Sequence, residues 1–424
     1  MIKITTNKSL NIVLPNTNRA LKEALSSATP KELEQLSQGK DLKSVLDSLL
    51  KQSTADNSSD KLLLNLVKNN PTLKSLSNVT PTLKELQSSL QKEPTQTPLT
   101  QKVQSFLEGV QDIDEKGLQS KLKDSGVFLE SKIKNLQTPQ QELKTLLSDL
   151  SKALESSNIS TVKGVSSDIK QLLESDLFKG VSKNEILQSE KTETPLLERT
   201  AQEVKKVITN ISQRLDSNVD KTLQANDVLF TKNTKILIDK LPLYSKQEQL
   251  QPQVQTKELF SNDIKALLLK AQDELTNSTS TPNKQEILKQ VDKLLLQIDY
   301  HQLVSQLSNA TSLYIPYSWD ALEDGNISIK NQKDGRFFTD INLTLKDFGA
   351  LKLRLGLFEN KQLNINLSTD SQELKSLLQE SISTLRKQLS SVGIDPKEIR
   401  FLEDKRSNYD EATQSLNVGF EVKG

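Results

Sequence analysis

Residues able to build a packed core are spread unevenly along this chain. Of 17 aromatic residues in 424 positions, 11 lie in residues 300–424, together with 7 of the 13 glycines. The first 299 residues are mostly Leu, Lys, Ser, Gln, Thr, Glu and Asp. Only 34% of the chain is hydrophobic and 4% aromatic, below the usual globular share. One compact core over the whole length is therefore not expected. The expectation is a small packed domain at the C-terminal end, preceded by a long polar region patterned with leucine.

Several chemistries are excluded at once. Cysteine is absent and His301 is the one histidine, which removes zinc fingers, thiol catalysis, disulfide scaffolds and haem attachment. Lys and Arg number 56 against 55 Asp and Glu, a net charge of +1, so nothing marks a nucleic-acid partner. No apolar run nears the ~20 residues of a membrane span, and no membrane insertion is expected. Met1 to Asn16 carries Lys3 and Lys8 but no continuous apolar stretch, unlike a Sec-type signal peptide. No catalytic constellation, cofactor site or metal site is expected.

The long N-terminal part reads as amphipathic helices joined by polar linkers. Leu143, Leu146, Leu147, Leu150 and Leu154 recur at helical spacing, which puts them on one face. Ala201, Val204, Ile208, Ile211 and Leu215 do the same, as do Ile287, Val291, Leu294, Leu295 and Ile298. Between them lie Gln52–Asp60, Glu93–Thr100, Gln247–Thr256 and Thr276–Lys284. These stretches bury too little apolar area to offset ordering entropy and are read as loosely ordered or disordered linkers. Short helices barely form alone in water, so these are expected to be marginal.

The period changes near the C-terminus. Ile341, Leu343 and Leu345 alternate with polar residues; so do Leu351 to Leu357 and Leu363 to Leu367. Period two predicts strands with one apolar face. The links Lys346–Ala350 and Phe358–Gln362 suit hairpins. Leu374, Leu377, Leu378, Ile382, Leu385 and Leu389 then form a helical stripe, with Thr369, Asp370 and Ser371 competing as caps and Gly393 ending it. Lys397–Glu403 reads as a strand, and Leu416–Val422 as a further edge strand. The fold class is α+β: an antiparallel sheet with one covering helix, after a mostly helical and partly disordered N-terminal region. Leu353 or Leu355 changed to Asp should unfold this domain by burying a charge.

Several motifs reduce to local structure. Asp347-Phe348-Gly349 spells a kinase magnesium motif, but no Gly-rich loop or His-Arg-Asp loop accompanies it; it is read as a turn. Asp112-Ile113-Asp114 resembles a calcium-loop opening, yet Lys116 and Lys123 occupy ligand positions; it is read as a solvated turn before a helix over Leu118–Leu136. Asn70-Pro71-Thr72 is read as a turn, and His301 as structural. Tyr314, Tyr317 and Trp319 around Pro316 are read as a hydrophobic seam. Lys352 and Arg354 fall on the polar face of a strand, and Arg386 and Lys387 on an exposed helix face; they are candidates for an acidic partner surface.

Ile341 to Phe401 resembles the C-terminal domain of flagellar hook-length control proteins. The matching text is INLTLKDFGALKLRLGLFENKQLNINLSTDSQELKSLLQESISTLRKQLSSVGI: three strands, a turn glycine at Gly349, then a leucine-spaced helix ending at glycine. Phe348 stands where the family usually has Leu, and Lys346-Asp347 where Pro-Glu is common. YIPYSWDALEDGNISIK upstream is also similar to a segment before this domain in some members.

The resemblance implies a non-enzymatic protein, exported by the flagellar type III apparatus through an unfolded N-terminal signal. It would measure the hook and switch export from hook-type to filament-type substrates. Its implied partners are the cytoplasmic domain of the export-gate switch protein and the hook and hook-cap proteins. Partner binding is expected at Asp347, Phe348, Gly349, Lys352 and Arg354. The implied division is an export segment over 1–16, a ruler region over 17–299, an aromatic connecting segment over 300–335 and the hook-length control domain over 336–424. It would start in the cytoplasm and leave through the flagellar channel. A tape of roughly 300 residues spans about 45 nm if helical and up to about 100 nm if extended. The rival readings are a needle-length or substrate-switch protein of a virulence type III system and an intracellular helical scaffold.

Overall fold

The computed structural model describes residues 18–42, 45–46, 58–74, 76, 78–93, 96–155, 160–174, 206, 209, 213, 261–277, 283–308, 310–331, 336–359 and 361–402. The chain divides into two compact units, one of residues 1–309 with 316–318 and one of residues 310–315 with 319–424.

The described part of the first unit is helical: α1 (Arg19–Ser26), α2 (Pro30–Ser37), α3 (Ser58–Asn69), α4 (Pro71–Lys74), α5 (Thr80–Leu90), α6 (Pro98–Phe106), α7 (Glu115–Lys123), α8 (Leu129–Glu155), α9 (Ser160–Glu174), α10 (Ile264–Asn277) and α11 (Lys284–Ser308). Helical spacing placed two leucine stripes correctly. Leu143, Leu146, Leu147, Leu150 and Leu154 are buried along α8, and Ile287, Val291, Leu294, Leu295 and Ile298 along α11. The stripe from Ala201 to Leu215 lies almost wholly outside the described residues.

These helices are not isolated. Ala20, Leu21, Leu36, Leu63, Leu73 and Leu303 share one core, drawn from α1, α2, α3, α4 and α11. Leucine fills most of it, with Ala20, Ala24 and Val67, and Tyr300 packs against it; tertiary burial supplies the stability that short helices lack by themselves.

Parts of the expected linkers are helix starts instead. Ser58–Asp60 opens α3 and Pro98–Thr100 opens α6. Thr97 accepts from the Thr100 backbone N–H while Thr100 returns a bond to the Thr97 N–H. Pro98 is the first helical residue, where its missing N–H costs nothing. Thr276 and Asn277 belong to α10. Gln247–Thr256 lies outside the described residues. The helix expected over Leu118–Leu136 is two helices, broken where Gly126 turns left-handed at φ +81°.

The second unit is a six-stranded sheet: β1 (Thr311–Tyr314), β2 (Leu322–Asn331), β3 (Phe337–Leu345), β4 (Gly349–Phe358), β5 (Gln362–Thr369) and β6 (Asp395–Phe401). The spatial order follows the chain order. The first four pairings are antiparallel, whereas β6 lies parallel to β5. That parallel pairing requires a crossover, supplied by α12 (Gln372–Ser391). Ser371 is its cap, accepting from the Leu374 N–H at 3.2 Å. Gly393 at φ +82° ends it.

The registers fix two faces. Ile327, Ile341, Leu353 and Leu367 lie side by side, as do Ile329, Thr339, Leu355 and Ile365. On the other face Ser328, Asp340, Arg354 and Asn366 are aligned. The α12 stripe packs over β5 and β6. Ile365, Leu367 and Leu374 are buried accordingly, and Leu351 at the start of β4 is buried as well. Leu353 and Leu355, expected in the core, are only half-buried, as α12 packs chiefly on β5 and β6. The strand expected at Leu416–Val422 lies outside the described residues.

Candidate functional site

The five residues expected to bind a partner fall on the β3–β4 hairpin. Lys346, Asp347 and Phe348 connect the strands, and Leu345 pairs with Gly349. Gly349 has φ +72° and open space around its Cα. It is there for backbone conformation, a left-handed residue closing a short hairpin connection. Asp347 is exposed at the tip and Phe348 is half-buried. The magnesium-motif spelling is thus a turn, as the strand pattern on either side implied.

Lys352 and Arg354 stand two residues apart on the polar face. Lys352 pairs in register with Asn342 and Ser368. Arg354 is more constrained. Its Nε donates to Asp340 Oδ1 at 2.6 Å and its Nη2 donates to Asp340 Oδ2 at 3.2 Å. This two-point fork is the strong form of an Arg–carboxylate pair. Beside it, Phe338 and Phe358 meet edge to face at 5.9 Å between ring centres. They flank Gly356, where a Cβ would lie 3.0 Å from Phe358 and 3.3 Å from Phe338. The polar face therefore carries a cationic row, its acidic counterpart and an aromatic pair. The sequence reading named the cations but not Asp340 or the two Phe residues. Cross-strand register, which sequence alone did not supply, is what brings these together.

The other motifs resolve into local structure. Asp114 Oδ1 accepts from the Gly117 N–H at 2.7 Å and caps α7. Asn70 Oδ1 accepts from the Leu73 N–H at 3.0 Å, with Pro71 opening α4. His301 is buried within α11 beside Tyr300. Tyr314 is buried in β1, and Tyr317 and Trp319 are half-buried.

A second polar constellation, unforeseen from the sequence, sits inside the helical unit. Lys265 Nζ lies 2.7 Å from Asp299 Oδ1, 3.0 Å from Glu130 Oε1 and 2.5 Å from Gln302 Oε1. Glu130 and Gln302 accept hydrogen bonds from the ammonium, and Asp299 pairs with it by charge. Burial alone would push Lys265 down, but its two carboxylates outweigh this and hold it above its ordinary value. Burial raises Asp299, against the pull of Lys265. Asp263, capping α10 and paired with Lys132 at 3.1 Å, is raised by burial as well. Asn18 and Arg19 bind Asp299 from the start of α1, through bonds of 3.2 and 2.9 Å. The cluster ties α1, α8, α10 and α11 together and has no opening chemistry of its own.

Among the described residues, no group of three or more His, Asp or Glu side chains is placed to hold a metal ion. Among them also, no helix is long and apolar enough to cross a membrane. No curated protein and no solved structure matches the chain. A family does match the region just described. From within β2 through β6 and a little beyond, residues 325–410 match the family model of the flagellar hook-length control protein FliK.

Proposed function

We propose that this chain controls flagellar hook length without catalysing a reaction. The observation that carries the reading is the match of residues 325–410 to the hook-length control family model, falling on a continuous sheet-and-helix domain. In this reading the chain is made in the cytoplasm and exported through the flagellar type III channel. Its C-terminal domain then contacts the cytoplasmic domain of the export-gate switch protein, and export changes from hook-type to filament-type substrates.

The N-terminal region serves as the measuring segment, in contact with hook and hook-cap proteins. Its helical core must come apart for passage through a narrow channel. A core of leucine with no disulfide makes that opening feasible, since local unfolding draws on regions with modest packing. Asp347, Phe348, Gly349, Lys352 and Arg354 supply the contact face, with the aromatic pair Phe338–Phe358 as its apolar anchor.

The test is electron microscopy of cells whose copy lacks residues 310–424, the whole sheet. Overlong hooks without filaments are expected. Normal hooks bearing filaments would set the reading aside and favour a scaffold role.

A further inference from the structure

α1 is fastened to α11 more by polar bonds than by apolar area. Asn18 caps the helix, its Oδ1 accepting from the Leu21 N–H at 2.8 Å, while its Nδ2 donates to the Asp299 carbonyl at 3.2 Å. The Arg19 N–H donates to Asp299 Oδ2 at 2.9 Å. That N–H is among the donors that a helix start leaves without an intrahelical partner, so the carboxylate sits at the positive end of α1. Two turns earlier on α11, Asp292 Oδ1 accepts from Arg19 Nη1 at 2.8 Å. The apolar residues that α1 itself buries are two alanines, Ala20 and Ala24, and Leu21. α11 buries Ile287, Val291, Leu294, Leu295, Ile298 and Leu303. Freeing α1 therefore exposes far less apolar surface than freeing α11.

The fastening depends on the interior of the unit. Asp299 is buried, and its two oxygens have different partners. Oδ2 takes the Arg19 N–H, and Oδ1 pairs by charge with Lys265 Nζ at 2.7 Å. Lys265 is held in turn by Glu130, near the start of α8. A buried carboxylate needs its counterion, so Asp299 is ready for α1 only once α8, α10 and α11 are together. On its other side α1 gives way to a fresh start. Thr29 caps α2, with Glu32 accepting from the Thr29 N–H at 2.8 Å, and Pro30 opens that helix. Pro30 has no N–H to continue the ladder of α1, so α1 can leave without unwinding α2. At eight residues it does not persist as a helix in water once it has left.

We propose that α1 is a strap, released before α11 opens and docked only after α8, α10 and α11 have assembled, with Asp299 as its catch and Lys265 setting that catch from inside. The order of opening stands on the contacts just described. Its use rests on the functional reading above: release of α1 is an early step in opening the helical unit for passage through the export channel.

Trypsin reads this order in the full chain under native conditions. Lys22 in α1 and Lys293 in α11 both have exposed side chains, so the rate of cutting after each reports local opening of its helix. Mass spectrometry of the fragments should show cleavage after Lys22 at least tenfold faster than after Lys293. Asn18→Ala removes the cap and the bond to the Asp299 carbonyl. It should speed the Lys22 cut at least fivefold further and leave the Lys293 cut unchanged. Asp299→Asn sets an amide donor against either the Arg19 N–H or the Lys265 ammonium, and should raise the Lys22 rate more than the Lys293 rate. Equal rates at the two lysines in the parent chain would overturn the proposal, since α1 would then open only together with α11. So would an Asn18→Ala chain whose Lys22 rate is unaltered or whose two rates rise together, and so would a larger rise at Lys293 in Asp299→Asn. Neither rate depends on hooks, so a failed flagellar reading leaves this result intact, and a failed strap leaves that reading intact.

Discussion

Arg354 and Asp340 face each other directly across the β3–β4 ladder and are joined by two bonds, at 2.6 and 3.2 Å. This pairing separates two cations that look alike in the sequence. Arg354→Glu would set two carboxylates opposite each other and should lower stability by about 1–2 kcal/mol. The double exchange Arg354→Asp with Asp340→Arg should restore most of it. Lys352→Glu should change stability by less than about 0.5 kcal/mol. Urea unfolding of the three variants checks this. Lys352 is therefore the cleaner position for probing a partner.

Two glycines of the sheet should respond differently to Ala. At Gly325 a Cβ would collide with Ile315 and approach Leu343 at 3.1 Å and the Asn342 carbonyl at 3.3 Å. Gly325→Ala should cost about 1–3 kcal/mol through overpacking. At Gly349 nothing obstructs a Cβ, but φ is +72°. Gly349→Ala should cost about 1 kcal/mol from backbone conformation alone. Melting temperatures would rank them, and a Gly349 variant weaker than the Gly325 variant would contradict the packing.

Lys265→Met removes the cation from between Glu130 and Asp299. The loss should be about 3–5 kcal/mol, because two buried carboxylates are left facing each other. Helical circular dichroism during heating would register it. A variant as stable as the parent would mean that the cluster does not hold the helices.

The same cluster gives the helical unit a pH dependence. Asp263 and Asp299 are both raised by burial from the ordinary carboxylate value of 3.8. Above that value the folded state keeps protons that the unfolded chain has lost. Stability therefore falls as pH rises through the raised values. Lys265, held above its ordinary 10.5, keeps its contribution through neutral pH and loses it only in strong alkali. The urea midpoint should fall as pH rises above about 3.8, and Asp299→Asn should flatten that fall. A midpoint rising with pH would contradict this.

The strands β3, β4 and β5 were legible because Leu and Ile alternate with polar residues over three to four repeats. β2 was not, although Ile327 and Ile329 alternate with Ser328 and Lys330. Asp324-Gly325-Asn326 just before them reads as a turn, and only Gly325 fits there, under Ile315. In the helical unit, Thr97-Pro98 looked like a linker because Ser, Thr and Pro also mark helix starts. The polar face of the sheet was half legible: Lys352 and Arg354 follow from the strand period, while Asp340 and Phe338 need the register. Glu130, Lys265 and Asp299 are more than thirty residues apart in the chain, and no local pattern foretells that they meet.

The central claim is that the folded sheet domain switches export. Its most direct measurement is the ratio of filament-type to hook-type substrates in the culture medium. The comparison sets cells carrying Ile365→Asp, which places a charge at a buried position of β5, against cells carrying the parent chain. The account predicts that hook-type export persists while filament-type export collapses. An unchanged ratio, with the variant domain shown to be unfolded, would contradict it.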